Sequence, residues 1–595
     1  MNKPKRPPMN PNHKVRALPM LARLWRYIGK YRLLVVASIT LAIISSVLML
    51  IGPKLSGQAI NAIDLGAGQV DFPTVWRCAG LMLGAYVLSS VLGYVLSLVM
   101  LKLSQSISKQ MRHDVFQKLQ ALPVGFFDRY QAGDIISVVT YDIDTVNRSL
   151  SNDLLQILRS AFTVVISLVM MLSIAPKLVA VFLLTIPLTF IVTRYIVTKA
   201  KPLFRKRSKK LGEMNGFVEE MLSGQKTLHA YGQEAAVEAR FQEKNEEAVK
   251  AYTFAEAFGT VTGPCVNFLN NISLALISTA GAVMFLQGHI QLGDLSSFIQ
   301  YSRRFSGPIN EVANIISELQ SALAAAERVF NLIDAEPETP DAEDAQVLGA
   351  VEGDVVLDHV DFAYVKDHPI IKDLSMHAKP GSLTAIVGPT GAGKTTIINL
   401  LMRFYDVDGG AILVDGQEIR QITRSSLRKA YSMVLQDTWL FQGTIFDNIA
   451  YGKPGATMEE VVAAAKAAHI HGYISRLPEG YHTVLSDNGS SISKGQKQLL
   501  TIARAMLLDC HMLILDEATS NVDTRTEQKI QAAMRTLMEN KTCFVIAHRL
   551  STIENADHIL VLDQGQVVEQ GTHESLMAAG GFYHKLYQAQ FDSVS

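Results

Sequence analysis

The sequence predicts a protein in two parts: an all-α membrane domain of six spanning helices, followed by an α/β nucleotide-binding domain built around a phosphate loop. Three observations carry this reading. The first half repeatedly runs apolar for membrane-spanning lengths. The 595 residues are 48% hydrophobic and only 18% charged, against about 25% charged in soluble domains. Finally, Gly388-Pro389-Thr390-Gly391-Ala392-Gly393-Lys394-Thr395 follows a short apolar run, the pattern whose backbone N–H groups turn inward around ATP phosphates.

Lys and Arg total 55 and so do Asp and Glu, so charge gives no argument for nucleic acid as a partner. The cysteines Cys78, Cys265, Cys510 and Cys543 lie far apart, without metal-ligand spacing, and read as apolar fillers.

Residues 1–32 carry nine Lys or Arg and no acid, which places the N-terminus in the cytoplasm with no cleaved signal. Within that tail Leu21, Leu24, Trp25 and Ile28 recur at helical spacing, as in a short interfacial helix. The membrane domain is expected over 33–330. Its spans are read at 33–51, 78–101, 154–175, 178–199, 259–286 and 292–316, an even count that returns the C-terminus to the cytoplasm. The links after the second and fourth spans are long and hold Lys102, Lys109, Arg112, Lys118 and Arg129, and Lys201, Arg205, Lys206, Arg207, Lys209 and Lys210. That excess agrees with the positive-inside rule for a multi-pass protein of the cell membrane.

Neither long link reads as a loop. Leu103, Ile107, Met111, Val115 and Leu119 keep helical spacing, as do Met214, Phe217, Val218, Met221 and Leu222, so the helices should continue beyond the bilayer. Gly133-Asp134 and Ser223-Gly224 are the expected reversals. Arg159, Arg194, Arg303 and Arg304 are costly near a membrane and mark candidate cavity residues, with Asn267, Asn270, Asn271 and Asn310 beside the last pair.

Residues 331–350 form an acidic, proline-bearing linker, and 351–595 the nucleotide-binding domain. Leu383–Val387 should be the strand entering the phosphate loop, with Lys394 reaching the β- and γ-phosphates and Thr395 ligating magnesium beside Thr396. Met512-Leu513-Ile514-Leu515 is a second strand, ending in Asp516, assigned to magnesium, and Glu517, assigned as general base. A third, Cys543–Ala547, ends in His548, placed to hold the water and Glu517 in register.

Taken in order, these features resemble the ATP-binding cassette exporters over essentially the whole chain. The resemblance implies that Tyr364 stacks on adenine, that Gln436 senses magnesium and the γ-phosphate, and that Ser520 to Asp523 form the D-loop. It implies coupling helices at the two cytoplasmic tips, resting on nucleotide-binding domains. It also implies that two halves dimerise head to tail, so that each ATP lies between one subunit's phosphate loop and the other's signature motif.

The signature departs from the pattern. Where the family has Leu-Ser-Gly-Gly-Gln, this chain has Ile492-Ser493-Lys494-Gly495-Gln496. An irregular signature beside a complete Asp516-Glu517 pair resembles one half of the heterodimeric bacterial multidrug exporters. The expected partner is then a second half-transporter with an ordinary signature and no glutamate equivalent to Glu517. The expected activity is ATP-driven export of amphipathic small molecules or drugs. A lipid or peptide translocator and an ATP-gated channel are the competing readings.

Overall fold

Proline and glycine decide where the long helices stop. Pro123 lacks an N–H and biases Leu122 away from helix, so α3 (Phe72–Gln120) ends there. α8 (Pro176–Ser223) ends at Gly224, whose N–H still donates to the Glu220 carbonyl at 3.0 Å. The computed structural model describes residues 17–63, 70–436, 438–485, 492–516, 522–547 and 550–591. They divide into two units, one running to Gln120 and from Ala132 to Ala335, the other comprising Ala121–Gln131 and everything from Glu336.

In the first unit α1 (Ala17–Gly29) leads to α2 (Arg32–Asn61) and α3. After α4 (Val124–Arg129), which belongs to the second unit, come α5 (Ala132–Ser137), α6 (Ile143–Arg148) and α7 (Leu154–Ile174), joined by π-helical turns at Val138–Asp142 and Ser149–Asp153. Then follow α8, α9 (Gln225–Ala230), α10 (Glu234–Leu286) and α11 (Leu292–Ile333). At about 1.5 Å per residue, the 49, 48 and 53 residues of α3, α8 and α10 are far longer than a bilayer core of about 30 Å. The expected extensions are therefore present. By length and composition, α2, α3, the α5–α7 run and α10 are apolar enough to cross a membrane among the described residues. The fourth and sixth expected spans are helical as well, as parts of α8 and α11.

Small residues let α2 and α11 approach closely. A Cβ at Gly293 would sit 1.9 Å from the Gly57 carbonyl oxygen. Gly293 N–H donates to Asn61 Oδ1 at 2.7 Å, Ser297 Oγ to the Pro53 carbonyl at 2.9 Å, and Tyr301 Oη to the Leu50 carbonyl at 2.6 Å. In α1, Leu24 and Ile28 are buried within the unit while Leu21 and Trp25 are exposed, so only part of its apolar face is left for a membrane surface.

The second unit is built on three sheets. One is antiparallel, in the order β2 (Ile371–Ala378), β1 (Val355–Phe362), β4 (Gly409–Val414), β5 (Gln417–Glu418). The six-stranded sheet has the order β12 (Gln566–Gly571), β11 (His558–Asp563), β3 (Leu383–Val387), β10 (Thr542–Ile546), β9 (Met512–Asp516), β6 (Tyr431–Val434), all parallel except the β12 edge. Its inner strands are near-continuous apolar runs because helices cover both faces. The helices are α12 (Lys394–Leu401), α13 (Arg424–Ala430), α14 (Ile445–Ala450), α15 (Met458–Ala467), α16 (His471–Ile474), α17 (Lys494–Leu508), α18 (Thr524–Met538), α19 (Leu550–Glu554), α20 (His573–Ala579) and α21 (Phe582–Phe591), with a short β7 (Gly443–Thr444)–β8 (Val484–Leu485) pair.

Two boundaries differ from expectation. Gly133-Asp134 lies inside α5 rather than at the reversal, because Pro123 has already broken the chain and α5 restarts it at Ala132. The acidic stretch is also not a free linker: α11 runs to Ile333, and the segment beyond it is pinned to the second unit. Arg424 Nη1 donates to the Thr339 carbonyl at 2.6 Å and to Asp341 at 2.9 Å, and Nη2 donates to Asp406 at 3.1 Å. Arg428 holds Glu338 at 2.5 Å. Because the Asp341 and Asp406 side chains are 31% and 36% exposed, Arg424→Ala should cost about 2–3 kcal/mol, below the roughly 3–5 of a fully buried pair. Limited proteolysis should then find new cleavage around 336–345, which the wild-type chain resists.

Candidate nucleotide site and membrane cavity

Strand β3 delivers the chain to residues 388–393, and the tight turn is possible because three glycines take conformations that suit no other residue. Gly391 and Gly393 have φ of +89° and +102°, and a Cβ at Gly388 would lie 2.3 Å from the Leu562 carbonyl oxygen. Gly393 then serves as N-cap of α12, so the loop's free N–H groups and the positive end of the helix share one concavity. The Lys394 ammonium spans that loop, donating to the carbonyls of Gly388 at 2.8 Å and Pro389 at 3.0 Å. Burial lowers its pKa below the ordinary lysine value, while the Asp516 charge opposes the shift. Thr395 is exposed and Thr396 buried on the first turn; Ala392 packs into the core beneath the exposed Thr390.

Tyr364 lies just past β1, beside this helix. Its hydroxyl is 3.4 Å from Thr396 Oγ1 and accepts from Asn399 Nδ2 at 3.1 Å. The residue is 37% exposed, so part of it is open to a stacking partner.

Sheet order assembles the rest. In β3, β10, β9 and β6, adjacent and parallel, the C-terminal ends lie side by side, the edge at which open α/β sheets bind ligands. Asp516 closes β9, opposite Ile546 of β10, and Gln436 is exposed two residues after β6. A hydroxyl, a carboxylate and an amide oxygen are hard donors that suit magnesium held partly by phosphate oxygens. Among the described residues no cluster of three His, Cys, Asp or Glu offers a cation an all-protein cage. Glu517, Ser520 and His548 lie outside the described residues, directly or shortly after β9 and β10.

The signature residues stand at the start of a different helix. Ser493 is the N-cap of α17, its Oγ accepting from Gln496 N–H at 3.3 Å while Gln496 Oε1 accepts from Ser493 N–H at 3.0 Å. Lys494 is exposed at the first helical position, where a positive charge opposes the helix dipole. Gly495 is buried, and a Cβ there would meet Thr526 Cγ2 at 2.5 Å. Asp523, the end of the expected D-loop, caps α18, accepting from Thr526 N–H at 2.9 Å; that bond lowers its pKa.

Arg504 on α17 escaped the sequence reading. It donates to the Asn448 carbonyl at 2.8 Å and the Trp439 carbonyl at 3.2 Å, and lies over the rings of Phe441 and Tyr451. It thereby ties the segment following Gln436 to the signature helix. The available signal was a lone arginine in the apolar run Ile502-Ala503-Arg504-Ala505.

Comparison with known proteins agrees with this geometry. Residues 35–309 match the family described as ABC transporter transmembrane region, and residues 371–520 the family described as ABC transporter. A fatty acid ABC transporter ATP-binding/permease protein of Mycobacterium bovis is 44% identical over 539 residues, 90% of this chain and 85% of that protein. The chain belongs to the ABC exporters. A Bacillus subtilis ABC transporter ATP-binding protein, YfiC, is 41% identical over 96% of this chain and 94% of its own length. An ATP-dependent lipid A-core flippase of Methylobacillus flagellatus is 36% identical, over 89% and 90%. The solved structure of a bacterial Atm1-family ABC exporter with ATP bound superposes with a TM-score of 0.76 at 32% identity, covering 94% of this chain and 98% of that one.

The exporter's helical unit contains a cavity of about 850 Å³. It is lined by α6, the second π-turn, α7 and α11, with Arg148, Arg159, Asp153 and Glu318 as its charges. Of the four arginines singled out from sequence, Arg159 lines it; Arg194, Arg303 and Arg304 do not, nor do Asn267, Asn270 and Asn271. Arg304 instead donates to the Met49 carbonyl at 3.3 Å. The unread signal was the stripe Asn152, Gln156, Arg159 and Thr163, one polar face at helical spacing.

Proposed function

We propose that this exporter moves amphipathic small molecules, lipids or drugs, out of the cytoplasm as one half of a dimer powered by ATP hydrolysis. The observation that carries the substrate class is the two-faced α7. Its Gln156, Arg159, Ser160 and Thr163 line the polar cavity, while Val165, Val169 and Leu172 lie exposed on the same helix. A charged head group suits the first surface and an acyl or aromatic tail the second. The names of the fatty-acid and lipid A-core relatives support the lipid side of this class.

In the proposed cycle the phosphate loop and Lys394 hold the triphosphate; Thr395, Gln436 and Asp516 would hold magnesium, which when bound would supply positive charge beside the phosphate oxygens. Glu517 accepts the proton of the attacking water, and His548 keeps that water in line. Ser493, Gly495 and Gln496 complete the ATP site of the other subunit from the positive end of α17. Closure of the composite sites draws the membrane halves together; hydrolysis lets them part. A heterodimer is favoured over a homodimer by one observation, Lys494, whose exposed ammonium stands where the family keeps a glycine.

Proteoliposomes loaded with a fluorescent phospholipid and, separately, an amphipathic cationic dye test the substrate class. ATP should drive movement of at least one, and Arg159→Ala should raise its KM several-fold. ATP hydrolysis stimulated by neither, with neither moved, would refute the reading.

A further inference from the structure

Tyr405 joins two parts of the second unit that the reaction itself does not connect: the Tyr364 ring beside the phosphate helix and the short helix α4. Its ring meets Tyr364 edge-on, with centroids 5.0 Å apart at 86°, and meets Phe362 at 5.6 Å. Its hydroxyl donates to Asp128 Oδ2 on α4 at 2.5 Å. Burial and that bond both raise the phenol's pKa, so it remains a donor throughout the physiological range.

The contact is close as well as polar. Gly125, buried on the first turn of α4, faces the same ring: a Cβ there would lie 2.8 Å from Tyr405 Cε1 and 2.9 Å from its hydroxyl. Only glycine leaves room for the ring between Phe362 and α4. The start of this segment is fixed independently, because the Ala121 carbonyl accepts from Glu338 N–H at 2.8 Å and Glu338 is held by Arg428. With Ala121 anchored, Tyr405 controls how the rest of α4 lies.

At the other end of the chain of contacts, the Tyr364 hydroxyl is tied to Thr396 and Asn399 of the phosphate-binding helix. A purine stacked on Tyr364 would fix a residue that is now partly exposed, and the edge-on contact would pass that constraint to Tyr405. We propose that Tyr405 is a positioning residue that reports the presence of a purine base at Tyr364 to α4 through its hydrogen bond to Asp128. Triphosphate in the loop engages Lys394 and the glycines and meets the relay only at the Tyr364 hydroxyl, through Thr396 and Asn399, whereas a base bears on the ring that contacts Tyr405. The proposal rests on the nucleotide reading of the site and adds that base and phosphates are sensed separately.

The test is hydrogen exchange of residues 121–131 in the purified full chain carrying Glu517→Gln, so that bound nucleotide persists. Magnesium-ATP should slow exchange across 124–129, and inorganic tripolyphosphate at saturating concentration should not. Tyr405→Phe keeps the ring, and should leave ATP affinity within about threefold while removing most of the ATP-dependent slowing. Asp128→Ala, which removes the acceptor, should do the same, and combining the two should add little, the signature of one shared contact. Equal slowing by tripolyphosphate and ATP, or full slowing retained in Tyr405→Phe, would overturn the relay. Absence of ATP binding in the parent chain would instead sink the nucleotide reading, a separable outcome.

Discussion

Glu517→Gln is expected to leave ATP bound and to stop its hydrolysis, with export lost alongside. Asp516 occupies the last position of β9, between β10 and β6. Glu517 is therefore the first residue beyond that strand. Glutamate and glutamine match in size. What the amide lacks is basicity. Loss of a positioned general base costs about 100- to 10,000-fold, so phosphate release should fall by at least two orders of magnitude while equilibrium ATP binding persists. This separates the exporter from a nucleotide-gated channel, which has no need of a base and would go on passing its substrate.

Gly388→Ala should have a comparably large effect by a different route. The added methyl would lie 2.3 Å from the Leu562 carbonyl oxygen and 3.2 Å from its carbon, on the neighbouring strand β11. Backbone cannot swing aside as a side chain can, so β3 and β11 must part or the loop must lift from its seat. Overpacking of this kind costs about 1–3 kcal/mol of stability. It also displaces N–H groups whose value to the phosphates depends on placement. ATP affinity should fall at least tenfold and the denaturation midpoint should drop. Gly391→Ala is the informative comparison: a Cβ there meets nothing within 4 Å, but φ is +89°. Its penalty is confined to the backbone, about 1–2 kcal/mol, with no strand displaced.

What the sequence disclosed was chemistry carried by short contiguous stretches. The phosphate loop and the strand ending in Asp516 each depend on neighbours within a few residues, and each stands on the element expected for it. The six long helices were legible from apolar runs and from the helical spacing that continued past them. Relations between distant segments were not. The acidic stretch after α11 reads only as a linker because the partners that hold it, Arg403, Arg424 and Arg428, lie far along the chain, where they bind its Asp341 and Glu338. The reversal at Gly133 was misplaced because the Gly-Asp pair outweighed Pro123, whose missing N–H is the stronger stop. Tyr405 gave no local sign, since its importance lies in what α4 and Tyr364 place on either side of it.

The cavity shows the same division. Asn152 at the end of the second π-turn and Gln156, Arg159 and Thr163 on α7 form a readable stripe, but Glu318 and Ser321 reach the same space from α11, more than 150 residues later. A stripe on one helix announces a polar face. Only packing reveals whether that face meets solvent, a second helix or a substrate.

The coupling we propose is between hydrolysis at the strand-tip site and movement of an amphipathic molecule. It is tested most directly by measuring ATP hydrolysis and substrate movement together in one proteoliposome preparation. With ATP, movement should track hydrolysis across the whole range of nucleotide concentration and should stop after at most one cycle when a non-hydrolysable analogue is supplied. Sustained movement at full rate with the analogue would contradict the account.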